Sequence, residues 1–90
     1  MKEVTVKKLK EAVEQHNITQ FTLIIRNHHF RYTITESGIS YVMAPPALNK
    51  PQQFGPIEQS SWKNLAATFN TQSPRNRREL WELFIGNTDP

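Results

Sequence analysis

Residues 18–43 read ITQFTLIIRNHHFRYTITESGISYVM, and the reading of this stretch decides the fold. Apolar and polar residues alternate with the period of a β-strand, in three runs separated by turn residues. Strand one is expected over 19–26 and strand two over 29–35. Asn tolerates positive φ, so Asn27-His28 is read as a two-residue reversal. That register sets Ile25 opposite Phe30, Leu23 opposite Tyr32 and Phe21 opposite Ile34. Gly38 is expected to close the loop Thr35-Glu36-Ser37-Gly38 in a left-handed conformation. It pairs Ile34 with Ile39, Tyr32 with Tyr41 and Phe30 with Met43. A slip of one residue would bring Ser40 opposite Ile34 and break the apolar face. One side of the sheet is therefore dry. The other carries Gln20, Thr22, Arg26, His29, Arg31 and Thr33.

Outward from the sheet, the period changes to that of a helix. Residues 5–16 place Val6, Leu9, Ala12 and Val13 on one side, with Thr5 as N-cap. Lys7 and Lys8 fall in the first turn, against the helix dipole, which hints that these lysines face a partner. Residues 44–57 contain Pro45, Pro46, Pro51 and Pro56, which cannot donate to a ladder. This segment reads as a long irregular loop anchored by Leu48, Phe54 and Ile57. A second helix is expected over 61–70, capped by Ser60 or Ser61, with Trp62, Leu65, Ala66 and Phe69 as its stripe. A third starts at the N-cap Ser73, continues through Pro74 and stops at Gly86. Leu80, Leu83 and Phe84 supply its core face, which leaves Trp81 and Ile85 in surplus. Residues 87–90 are expected to fray.

The expected architecture is α+β: one helix, a three-stranded antiparallel sheet, a proline-rich loop, and two C-terminal helices packed on one sheet face. Ninety residues make a single domain, 1–90. No window is apolar enough to span a membrane, and no apolar run follows the charged N-terminus. The chain has no Cys, which removes thiolate chemistry and suits a reducing, cytoplasmic setting. The net charge of +3 and pI near 9.5 permit an anionic partner.

Motifs for catalysis are sparse. His28 and His29 are adjacent on a strand, so their side chains should point to opposite faces, and no carboxylate stands at ligand spacing beside them. No catalytic, metal or cofactor site is expected. Small ribonuclease toxins also use a helix, three strands and a histidine near the first hairpin, where His29 would be the acid-base candidate, and double-stranded RNA-binding domains share the helix–strand–strand–strand–helix order. Arg26-Asn27 stands where the toxins carry Gly-Ser. Ser60-Ser61-Trp62-Lys63 offers one lysine where the RNA-binding domains carry several. Element order without those residues carries no function.

The cations remain: Lys7, Lys8 and Lys10 on the first helix, Arg75, Arg77 and Arg78 at the start of the third, and Arg26 and Arg31 on the sheet. Arginine's planar fork suits phosphate. The leading expectation is a small non-catalytic accessory, regulatory or inhibitory factor that contacts nucleic acid, or a nucleic-acid-processing enzyme, through these residues. The alternatives are an adaptor or homodimer built on Trp81 and Ile85, and a His-dependent ribonuclease-like hydrolase.

Overall fold

The computed structural model describes residues 1–86, in the order α1 (Val6–His16), β1 (Gln20–Ile25), β2 (His28–Thr35), β3 (Gly38–Ala44), β4 (Glu58–Ser60), α2 (Trp62–Asn70) and α3 (Pro74–Gly86). The expectation of fraying at 87–90 lies outside the described residues. Four strands form one antiparallel sheet in the order β1-β2-β3-β4. The α+β class is as expected, but the sheet has one strand more. Glu58–Ser60 is three residues long and poor in strand formers, so alternation could not reveal it. It forms because β3 offers an open edge, where Ile39 pairs with Ser60 and Tyr41 with Glu58.

The first hairpin turns one residue earlier than expected. Arg26 (φ 51) and Asn27 (φ 65) are the two loop residues, both with positive φ as a type I′ turn demands. The pairing becomes Ile25 with His28, Leu23 with Phe30 and Phe21 with Tyr32. Relative to the expected register β2 has moved by two residues. An even shift preserves which side chains share a face, so hydrophobic alternation alone cannot tell the two registers apart. His28 then lies just after the loop, and its Nδ1–H donates to the Arg26 carbonyl at 3.1 Å. The second hairpin has the expected register, with Ile34 opposite Ile39, Tyr32 opposite Tyr41 and Phe30 opposite Met43. Gly38 closes it at φ 137, where any Cβ would be strained. Arginine is a poor choice for positive φ. Replacing Arg26-Asn27 by Asn-Gly should therefore stabilise the fold by about 0.5–1.5 kcal/mol, measured by urea denaturation. An unchanged midpoint would contradict the strain.

Each helix begins on a hydroxyl cap. The Lys8 N–H donates to Thr5 Oγ1 at 3.1 Å, the Asn64 N–H to Ser61 Oγ at 3.0 Å and the Asn76 N–H to Ser73 Oγ at 3.2 Å. Asn17 ends α1 with φ 53, and Ile18 N–H bonds back to the Val13 carbonyl at 3.0 Å. That closure turns the chain directly into β1.

The helices cover the dry sheet face. Phe21, Leu23, Tyr32 and Ile39 from the sheet meet Leu9 and Ala12 of α1, Leu65, Ala66 and Phe69 of α2, and Leu80 and Phe84 of α3. Phe21 lies parallel to Tyr32 with centroids 5.0 Å apart and takes the edge of Phe84 at 4.6 Å. Val4 is also buried, a core residue outside any periodic run. Its N–H donates to Asn70 Oδ1 at 2.7 Å, and Asn70 Nδ2–H donates to its carbonyl at 2.8 Å.

Tyr32 is the buried titratable group of this core. Burial pushes its phenol above the ordinary value near 10, with a smaller upward push from Tyr41; the Thr68 hydrogen bond works the other way. The folded chain keeps this proton where the unfolded chain has lost it. Stability is intact below about pH 10 and falls as pH rises through the window between the unfolded and the raised folded value. Denaturation at about pH 9 and about pH 11 should show a smaller alkaline loss for Tyr32→Phe than for the native chain. Equal losses would assign the effect to other groups.

Candidate nucleic-acid interface

Strand pairing sorts the side chains of the outer sheet face. Gln20, Thr22 and Ile24 of β1 share it with His29, Arg31 and Thr33 of β2, Ser40 and Val42 of β3, and Gln59 of β4. None of these is a carboxylate. His28 and His29 point to opposite faces, as expected of neighbours on a strand. No group of three His, Cys, Asp or Glu that could hold a metal occurs among the described residues.

The outer face is not bare. The segment 45–57 leaves the end of β3 and returns to form β4, and the Gly55 N–H donates to the Met43 carbonyl at 2.9 Å. Phe54 is half-buried and packs its ring on the Arg31 guanidinium, with Cζ 4.2 Å from the ring centroid. Of the three anchors expected in this segment, only Phe54 serves as one. Leu48 is 87% exposed and Ile57 70% exposed. Two clefts flank Arg31. One of about 200 Å³ is lined by Gln20, Phe21, Thr22 and Arg31. The other, about 220 Å³, is lined by Arg31, Thr33, Ser40, Tyr41, Val42 and Ile57.

The remaining candidate cations are dispersed. Lys7, Lys8 and Lys10 are exposed on α1, in the helical layer on the far side of the sheet. Lys8 Nζ sits 5.2 Å from the Trp81 ring centroid and Lys10 Nζ 5.7 Å from that of Trp62. Arg75 and Arg78 are exposed on α3, and Arg75 Nε is 3.9 Å from Glu79 Oε1. Arg26 stands at the hairpin tip. It borders a cleft of about 630 Å³ whose walls include Asn27, Ser73, Asn76, Glu79 and Leu83. Arg26 and Glu79 oppose each other in charge there, so this cleft does not favour a polyanion.

Arg77 is a correction. It was expected beside Arg75 and Arg78 in a phosphate-binding cluster, but it is only 8% exposed. Its Nε donates to the Phe69 carbonyl at 3.2 Å, Nη1 to Met1 at 2.8 Å, and Nη2 to Gln72 at 3.1 Å and Asn70 at 3.5 Å. Every contact is with main chain, at the end of α2 and at the N-terminal segment. The helical period places residue 77 one turn before Leu80-Trp81 and two before Phe84, on the core side of α3.

Trp81, expected either at a partner surface or wedged against α2, packs on the aromatic cluster. It is half-buried, with its ring 5.2 Å from that of Phe84 and 5.8 Å from that of Phe69. Ile85 is half-buried as well. Phe54 was expected as a loop anchor, but its partner Arg31 was not. The acid-free face does have a sequence signal: between Gln15 and Ile57 the only carboxylate is Glu36, while Arg26, Arg31 and Lys50 all fall in that span.

Comparison of the chain with family models, curated sequences and solved structures returned no match. No helix among the described residues is long and apolar enough to cross a membrane.

Proposed function

We propose that this is a small non-catalytic binding domain that engages nucleic acid, as an accessory or regulatory factor, through the outer face of its sheet. One observation carries the reading: that face presents Arg31 and His29 and no carboxylate, and Glu58, the carboxylate within the sheet, stands opposite Tyr41 at a register position of the other face. An acid-free surface concentrates a polyanion without local repulsion. Arg26 at the rim extends the cationic edge. Lys7, Lys8 and Lys10 lie on the other side of the molecule and serve long-range attraction. Arg77 takes no part. A cytoplasmic setting belongs to the same proposal and rests on the Cys-free composition.

The test is anisotropy of labelled oligonucleotides, single-stranded and duplex, between about 50 and 200 mM salt. If about three cations meet phosphates, the logarithm of affinity should fall against the logarithm of salt with a slope of about −2 on single strands and about −3 on duplex. Arg31→Ala should lose more affinity than Lys7→Ala. Absence of binding to every oligonucleotide at low salt would refute the proposal.

A further inference from the structure

The Arg31–Phe54 stack says which form of nucleic acid fits the outer face. We infer that it is a site for single-stranded RNA, with splayed bases seated in the two clefts that share Arg31 as a wall. This deepens the function proposed above and rests on it.

Three observations converge. The guanidinium lies over the Phe54 ring, with Cζ 4.2 Å from the centroid, and this contact holds its direction. Arg31 is nevertheless exposed, so the rest of the fork stays open to solvent. The fork can meet a phosphate with its N–H edge while bases pack beside it. The two clefts that share Arg31 as a wall, of about 200 and 220 Å³, are each of a size for one planar base. Bases in a duplex are paired and stacked inward, whereas unpaired bases offer their flat faces to aromatic and guanidinium planes.

The lining selects RNA within that class. Thr33 and Ser40 line the larger of the two clefts. Hydroxyls both donate and accept, which is what a ribose 2′-OH requires. Charge agrees, since the face holds Arg31 and His29 and no acid to repel the backbone.

The experiment compares labelled RNA and DNA single strands of about ten nucleotides with a duplex of the same sequence, against the native chain and three variants. Native protein should prefer the RNA strand to the duplex by about tenfold or more, and to the DNA strand by a smaller factor. Arg31→Ala and Phe54→Ala should each weaken RNA binding by about tenfold. Arg31→Lys keeps the charge and loses the plane, so it should weaken binding by about fivefold. Phe54 is a half-buried loop residue, and thermal melting of each variant checks that the fold is kept.

Arg31→Lys binding as well as the native chain would overturn the stacking role. A duplex bound as tightly as the single strand would overturn the inference and leave the general function standing. A DNA strand bound as tightly as RNA would overturn the RNA assignment. No binding to any nucleic acid would remove both this inference and the function beneath it.

Discussion

Arg77→Met should lower stability by about 2–4 kcal/mol, one of the two largest effects expected of any single substitution here. The guanidinium donates to the carbonyls of Met1, Phe69, Asn70 and Gln72. Three of these close the end of α2, where the last carbonyls have no partner within the helix. Removing the donor takes this partner from the part-buried carbonyls of Met1, Asn70 and Gln72, while the Phe69 carbonyl keeps the Gln72 N–H at 3.2 Å. Methionine retains the apolar stem, so the loss reports on the polar head and not on packing. Arg77→Lys keeps a charge but offers a single nitrogen, which cannot span acceptors on two sides, and should recover less than half. Thermal and urea unfolding measure both. For a domain of this size the loss corresponds to a fall of roughly 10–25 °C in midpoint. A shift below about 0.5 kcal/mol would mean that water replaces the fork at no cost.

Phe84→Ala should cost about 3–5 kcal/mol. The ring is fully buried and meets Phe21 of β1 at 4.6 Å, Trp81 at 5.2 Å and Phe69 of α2 at 5.8 Å. It is the point at which α3 is joined to both the sheet and α2. A ninety-residue chain has about 5–13 kcal/mol of total stability, so this substitution removes a large share of it. Leu48→Ala, at a site 87% exposed, should stay within about 0.5 kcal/mol of the native chain. Comparable losses at the two positions would show that the aromatic cluster does not hold the layers together.

Much of this architecture was legible in the sequence because short-range rules govern it. Thr5, Ser61 and Ser73 cap the helices that their positions announce, and Gly38 sets the second hairpin. The first hairpin was legible only in part. Its two candidate registers differ by two residues and bury the same face, so the choice falls to turn geometry at Arg26 and Asn27. The fourth strand depends on a neighbour supplied by β3, which no local pattern of Glu58-Gln59-Ser60 encodes. Arg77 was misplaced because charge suggests the surface. Only the convergence of carbonyls from two distant segments makes its burial favourable. For the same reason Phe54 could not be seen as the partner of Arg31. Twenty-two intervening positions had to fold back over the sheet first, and aromatic–cation contacts leave no periodic trace.

The clasp between Asn70 and the main chain of Val4 joins residues 66 positions apart. The hairpins close over short spans, whereas this link waits for the whole chain to condense. Its sequence separation predicts that it forms after the hairpins. The entropy lost in closing so long a span rises only as the logarithm of its length, so lateness need not mean weakness. Once formed, the clasp ties the beginning of the chain to the end of α2, and neither can peel away without the other. The amide proton of Val4 accordingly reports on cooperative opening: its exchange with solvent deuterium should follow the unfolding of the whole domain and not local fluctuation.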